Sequence, residues 1–193
     1  MAHRYLICGA FTSGSEISGI SFSDDIKATL DCLKDLGAKV EIDSDTVKIG
    51  GLNKETPINS NKIFCNESGS TLRFLIPICL LKNKEITLSG TKRLFSRSLE
   101  VYENLCREQN ILYNKGEDFI TLNGEISGGK YSVKGDVSSQ FISGLLFALP
   151  LLEKDSVVNI IPPVVSRPYI ELTLQALKEF GVDACWTDDH TIL

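Results

Sequence analysis

SSQFISGLLFALP, residues 138–150, decides the fold once it is laid on GSTLRFLIPICLL, residues 69–81. Each stretch opens with small polar residues and runs on as an almost unbroken apolar helix. Residue 69 falls on residue 138, an offset of 69. The same offset lays HRYLICGA (3–10) on LRFLIPIC (72–79), with Arg4 on Arg73. A helix apolar on nearly every side belongs in an interior. The chain therefore carries three such helices in three copies of one unit, and an internal repeat sets the architecture before any single element does.

The rest of the unit follows from this register. A short β-like run comes next in each copy: EISGIS (16–21), EITLSG (85–90) and SVVNII (156–161). A second helix follows each run. DDIKATLDCLKDLG (24–37) spaces Ile26, Leu30, Leu33 and Leu36 with a helical period. SLEVYENLCREQN (98–110) shows the period more weakly, and PYIELTLQALKEFG (168–181) shows it strongly. Ser23, Ser96 and Ser166 stand where helix N-caps belong. Pro168 suits a first helical position, and Gly37 and Gly181 suit C-terminal stops. Strands come last: AKVEI then TVKIG, ILYNK then FITLNG, DACWT then HTIL.

The expected unit is helix, strand, helix, strand, strand, at roughly 1–64, 65–134 and 135–193. The fold class is α/β (α+β): one domain of pseudo-threefold symmetry, with buried helices inside and sheets outside. NGEISGGK (123–130) reads as a flexible loop. Met1 aligns with Ser70, so the first unit lacks counterparts of Glu67, Ser68 and Gly69. The expectation is a chain that starts inside a helix, through an eroded N-terminus or as part of a larger protein.

Composition narrows the function. Net charge is −5 and no basic run exists, so nucleic acid is not an expected partner. No apolar run reaches the roughly 18 residues of a membrane span. MAHRYLICGAF is too short and too weakly basic for a signal peptide. The six cysteines form no C-x-x-C pair and read as free thiols of a cytoplasmic protein. His3 and His190, the only histidines, stand near no ligand cluster, so neither a metal site nor a Ser-His-Asp triad is expected.

What remains is the helix starts. Free N–H groups and a partial positive charge make each an anion site. Ser138, Ser139 and Gln140 add neutral donors at one; Ser68, Gly69 and Ser70 form the equivalent turn of another. Gly69 lets a ligand approach the backbone. Arg73, among apolar residues, calls for a partner, and Glu67 is the nearest carboxylate in sequence. Arg97 and Arg167 each follow a predicted cap serine. Asp24 and Asp25 suit a helix dipole, and Asp136 also reads as a cap. Together these features describe a cleft for a multiply anionic small molecule.

The residues also resemble a known family. GDVSSQFISGLLFALPLL (135–152), VVSRPYIELTLQALKEFGV (164–182), ESGSTLRFL (67–75) and RLFSR (93–97) are similar to the first globular domain of the 5-enolpyruvylshikimate-3-phosphate synthases. AHRYLICGAF matches the end of that family's Lys-Ser-x-x-x-Arg motif. The resemblance spans essentially the whole chain. It implies two similar domains, each of three units with helices inside and sheets outside. It implies transfer of the enolpyruvyl group of phosphoenolpyruvate to the 5-hydroxyl of shikimate-3-phosphate, on the route to chorismate and aromatic amino acids, with no metal or organic cofactor.

By resemblance, Ser138 and Ser139 hold the shikimate phosphate, Ser166 adds a contact to it, and Tyr169 lines the shikimate pocket. Arg4 meets the shikimate carboxylate. Gly69 and Arg97 contact phosphoenolpyruvate, and Gln140 touches both substrates. The chain departs from the family in four ways. The Lys and Ser of the motif fall before Met1, Glu67 stands where Asn is common, Ser98 replaces a proline, and the second domain with its acid/base residues is missing. The implied chain is a substrate-binding half, inactive alone and without catalytic residues of its own. Two alternatives stay open: a domain of the related UDP-N-acetylglucosamine enolpyruvyl transferase, and a non-catalytic anion-binding module.

Overall fold

The computed structural model describes all 193 residues. In chain order the elements are α1 (Ala2–Ala10), β1 (Ser15–Ile17), α2 (Asp24–Asp35), β2 (Lys39–Asp43), β3 (Thr46–Gly50) and β4 (Lys62–Phe64). There follow α3 (Gly69–Cys79), β5 (Ile86–Ser89), α4 (Lys92–Phe95), α5 (Glu100–Glu108), β6 (Leu112–Lys115), β7 (Phe119–Asn123) and β8 (Lys130–Lys134). The last four are α6 (Ser139–Ala148), β9 (Val157–Ile161), α7 (Arg167–Glu179) and β10 (Thr191–Ile192).

Each unit owns one sheet, ordered β1-β3-β2, β4-β5-β7-β6 and β10-β9-β8. Strands β5, β7, β8 and β9 bury every second residue, as in Ile86 and Leu88 of β5, so one sheet face meets the helices. The inner helices are buried nearly all round: only Ser70 escapes full burial in α3, and only Gln140 in α6. Helices α3 and α6 pack through an edge-on Phe74–Phe147 pair at 5.3 Å. One cluster of 52 buried residues draws on all three units, which makes them parts of a single core.

The second helices α2, α5 and α7 are amphipathic and end alike. Gly37, Asn110 and Gly181 take positive φ (108°, 56° and 80°). After each, an amide reaches back to close the last turn: Ala38 to the Leu33 carbonyl, Ile111 to Cys106 and Val182 to Leu177. This is the helix stop that glycine or asparagine permits. The middle copy hides the repeat by using Asn.

Several expectations need correction. The unit is longer than the sequence pattern showed, because β4 and β8 precede α3 and α6 and pair in parallel with β5 and β9. KIF is too short for a period to show, whereas KYSVK alternates polar and buried apolar residues, a period-2 signal that the repeat pattern overlooked. Each lies before the expected boundaries at 64 and 134 yet pairs with the following unit. Ser96 is not an N-cap: it ends α4, which Thr91 caps, and its hydroxyl donates to the Arg93 carbonyl. Helix α5 starts at Glu100 behind Leu99, with Ser98 Oγ accepting from the Glu100 amide. DACWT forms no strand; only Trp186 bridges to Ile192, while β10 pairs with β9. In the NGEISGGK stretch, Ile126 is buried, Ser127 is held by Gln109 Oε1 at 2.9 Å, and Lys130 already belongs to β8.

Candidate functional site

The inner-helix starts carry the site. Ser68 caps α3 by accepting from the Thr71 amide, and Ser138 caps α6 by accepting from the Gln140 amide at 3.3 Å. Ser166 holds the cap position of α7, but its hydroxyl makes no capping bond. Each start leaves backbone N–H groups unspent.

The arginines divide cleanly. Arg93, Arg107 and Arg167 pair with Glu67, Glu103 and Glu171 at 3.1–3.3 Å. Arg4, Arg73 and Arg97 form no ion pair. The expected Arg73–Glu67 pair does not exist, because Glu67 turns outward to Arg93. Arg73 instead donates from Nη1 to Gln140 Oε1 at 2.8 Å and from Nη2 to the Ser98 carbonyl at 3.4 Å, and its buried Nε has no partner. Its guanidinium stacks on the Phe141 ring at 5.1 Å. Burial, and then the like charge of Arg97, lower its pKa, yet an arginine stays cationic at neutral pH. Neither Arg73 nor Arg97 is neutralised by an ion pair, so both keep their charge for an anion.

Gly69 lies directly beneath them. A β-carbon there would stand 2.7 Å from Arg97 Nη1 and 3.1 Å from Arg73 Nη1. Gly69, Arg97 and Gln140 border one open cavity of about 600 Å³, with Asp24, Asp25 and Glu67 on its rim. Gln140 is held from both sides: its Oε1 takes Arg73, and its Nε2 donates to Ser70 Oγ at 2.8 Å. The three positions expected to contact phosphoenolpyruvate are therefore brought together.

The other five expected residues share no single cavity and are linked only through neighbouring segments. Ser138 stands at the α6 start, at the end of a groove of about 480 Å³ between α5 and β8 that also touches Arg73. Ser139 is buried in the first turn. The Val165 amide donates to the Gly135 carbonyl at 3.1 Å, which draws the approach to α7, and with it Ser166, alongside the approach to α6. Tyr169 is 59% exposed on the first turn of α7. Arg4 reaches α7 from α1, donating from Nε to Thr173 Oγ1 at 2.9 Å and from Nη2 to the Tyr169 carbonyl at 3.1 Å. Its Nη1 has no protein partner. Burial is the main cause lowering its pKa. Arg167 takes no part, since it stacks on Trp186 at 4.2 Å.

Two residues that sequence reasoning passed over complete the frame. Tyr102 is fully buried and ties α5 to α3 and α6. Gly144 leaves room for that contact, since a β-carbon there would collide with the Tyr102 hydroxyl and the Arg73 carbonyl. The available signal was a glycine inside an apolar helix, where it costs helix stability unless another group must come close. No set of three or more His, Cys, Asp or Glu residues is placed to hold a metal, and no helix is long and apolar enough to cross a membrane.

Known proteins are similar to this chain in sequence and in fold. The chain is 46% identical over 185 residues to the 3-phosphoshikimate 1-carboxyvinyltransferase of Clostridium perfringens (strain 13), covering 94% of this chain and 44% of that protein. It is 44% identical over 195 residues to the Clostridioides difficile (strain 630) protein of the same name, covering 95% and 45%. The chain thus spans about half the length of the curated relatives it matches. The fold superposes on the EPSP synthase of Acinetobacter baumannii with a TM-score of 0.80 over 99% of this chain and 43% of that one, at 22% identity. The family model for EPSP synthase (3-phosphoshikimate 1-carboxyvinyltransferase) matches residues 1–192. With the three-unit fold, the paired helix starts and a family match over nearly every residue, the chain belongs to the EPSP synthase family.

Proposed function

We propose that this chain is the shikimate-3-phosphate-binding half of a 3-phosphoshikimate 1-carboxyvinyltransferase, acting in the cytoplasm with a second domain. The observation that carries this reading is that three arginines lack carboxylate partners: Arg73 and Arg97 meet over Gly69, and Arg4 reaches the first turn of α7. Ser138, Ser139 and Ser166 would hold the shikimate phosphate with helix amides behind them. Tyr169 would pack on the ring, and Arg4 Nη1 would face its carboxylate. Arg97, the Gly69 turn and Gln140 would hold phosphoenolpyruvate, with Arg73 fixing Gln140.

The reaction this serves is addition followed by elimination. The 5-hydroxyl oxygen bonds to C2 of phosphoenolpyruvate as a base removes its proton and an acid protonates the methylene carbon. The resulting methyl group then returns a proton as the C–O bond to phosphate breaks, giving the enolpyruvyl ether and phosphate. Such proton transfers need groups positioned against the reacting atoms. Of the carboxylates bordering the cavity, Glu67 is engaged by Arg93 and Asp24 and Asp25 lie in the first turn of α2. The proton-transfer groups are assigned to the second domain, and this half to binding and orientation.

Calorimetric titration of the chain with shikimate-3-phosphate tests the reading, with Ser139→Ala as control. Binding that the substitution weakens is expected. Equal binding by both proteins would remove Ser139 from the phosphate site. Turnover by the chain alone would overturn its assignment as a binding half.

A further inference from the structure

A line of hydroxyls crosses the interior from α1 to the start of α3. His3 Nδ1 lies 2.8 Å from Thr29 Oγ1. Thr29 Oγ1 lies 2.7 Å from Thr71 Oγ1, and Thr71 Oγ1 lies 2.7 Å from Ser68 Oγ. Thr29, Thr71 and Ser68 have no exposed surface at all (0% each). The Asp25 carbonyl sits 3.1 Å from the Thr29 hydroxyl and 3.4 Å from that of Thr71. Ser68 Oγ also accepts from the Thr71 amide at 3.3 Å.

Each hydroxyl has one proton to give, so the direction of the line depends on its end. With Nδ1 bare, Thr29 donates to His3 and Thr71 donates to Thr29, so Ser68 Oγ keeps only the Thr71 amide. With Nδ1 protonated, His3 donates to Thr29, Thr29 turns to Thr71 or the Asp25 carbonyl, and Thr71 donates to Ser68. Ser68 Oγ then accepts from both the amide and the hydroxyl of Thr71. Ser68 is the cap of α3 and the residue before Gly69, which lies under the Arg73 and Arg97 guanidinium groups.

A row of satisfied hydroxyls alone would be ordinary packing. The histidine at its end makes the difference, because its donor count changes near neutral pH. Three charged groups face it: the Asp25 carboxylate from α2, Arg4 beside it on α1, and the amino group at Met1. Burial pushes its pKa down, Asp25 pulls it up, and the amino group and Arg4 push it down again.

We infer that His3 is a positioning residue for the anion cavity, its protonation at Nδ1 passing through Thr29 and Thr71 to reset the hydrogen bonds of Ser68 at the start of α3. The identity of the anion rests on the proposed function; the relay itself needs no ligand.

The test is heteronuclear NMR of the ligand-free chain over about pH 5 to 8, the range in which histidine changes charge. The Thr71 and Gly69 amide resonances are expected to move with the same midpoint as the His3 ring. In Thr29→Val the ring still titrates and the transition at Thr71 and Gly69 is lost; in Thr29→Ser it returns. His3→Gln abolishes it and keeps the inference testable should Thr29→Val fail to fold. A His3 that stays neutral throughout overturns the inference. So does a Gly69 transition that survives in Thr29→Val or His3→Gln. A coupled titration in a chain that binds no shikimate-3-phosphate would retain the relay and sink the functional reading instead.

Discussion

The Tyr102 hydroxyl donates to the Arg73 carbonyl at 2.6 Å, filling the acceptor that Pro77 leaves empty four residues later. A proline inside a helix has no N–H for the carbonyl of residue i−4, so α3 carries a missing rung beside the arginine that holds Gln140. The same hydroxyl lies 3.1 Å from the Phe141 carbonyl of α6. Tyr102→Phe keeps the ring, with its edge-on Phe141 contact at 5.1 Å, and removes only the donor. A buried carbonyl left unpaired costs about 1–3 kcal/mol. Urea unfolding should show a loss of that size. An unchanged midpoint would mean that the helix closes the gap by itself.

Gly144 is the other half of that junction. Gly144→Ala places a methyl group against the Tyr102 hydroxyl and the Arg73 carbonyl. One contact is with backbone and cannot be relieved by a rotamer change, so α3 and α6 must part. Overpacking of this kind costs about 1–3 kcal/mol, more than the helix propensity that alanine gains. A more stable Gly144→Ala protein in thermal melts would show that the two helices separate without cost.

Gly69→Ala should behave in the opposite way. The new methyl group meets the movable ends of Arg97 and Arg73, not backbone, and alanine is the better helix former. Stability is expected to hold or rise slightly. The guanidinium groups must shift, however, and charge-assisted contacts depend on their geometry. Phosphoenolpyruvate binding, measured with the second domain present, should weaken by about tenfold or more, equivalent to ~1.4 kcal/mol. Intact affinity would show that the glycine is needed only for the turn.

The repeat, the buried helices and the helix stops were legible because they rest on local chemistry: apolar runs, cap serines, and glycines past a last turn. Arg73 was legible only as a question. Its answer, Gln140 in place of Glu67, depends on α3 meeting α6 across 67 residues of sequence, and no local rule encodes such a pairing. The three-residue strand β4 stayed hidden because its evidence is the partner strand, whereas β8 carries a local alternation, Tyr131 and Val133 inward, that the unit pattern left out. Ser96 misled because an inserted turn, α4, supplies its own cap at Thr91. Of the expected site residues, those on helix starts could be placed in advance, whereas Arg4, which reaches α7 through Thr173, could be placed only by the fold.

Alkaline pH should destabilise the protein. Burial pushes the Cys8 and Cys106 thiols up to about 12. Cys79 rises further through burial, and Cys32 rises chiefly through its hydrogen bond to Cys65. In the unfolded chain a thiol ionises near pH 8.5, so above that value the folded state binds more protons than the unfolded one. The stability these thiols contribute is complete below about pH 8.5 and is lost as pH rises towards 12. Lys82, buried against the Asn53 and Thr56 carbonyls and pushed down to about 8, acts in the opposite sense. Four thiols against one amine leave a net loss. Urea midpoints should fall steadily above pH 9, and a flat profile to pH 11 would contradict the thiol assignment.

Trp186 is the chain's only tryptophan, and it reads the start of α7. Its ring lies under the Arg167 guanidinium at 4.2 Å, and its Nε1 donates to Glu171 Oε1 at 2.8 Å. Arg167 in turn holds Glu171 at 3.3 Å and the Asp189 carbonyl at 3.3 Å. The whole cluster is anchored to the turn that begins with Ser166 and presents Tyr169. A ligand phosphate drawn to Ser166 must settle that turn, and the cation over the indole moves with it. Shikimate-3-phosphate is therefore expected to change Trp186 emission saturably, with the midpoint that calorimetry gives. Shikimate without its phosphate should change it far less. Arg167→Ala should leave binding within about threefold, since this side chain faces the indole, while abolishing most of the emission change. If binding is lost instead, Arg167 belongs to the phosphate site and not to the clip that supports it.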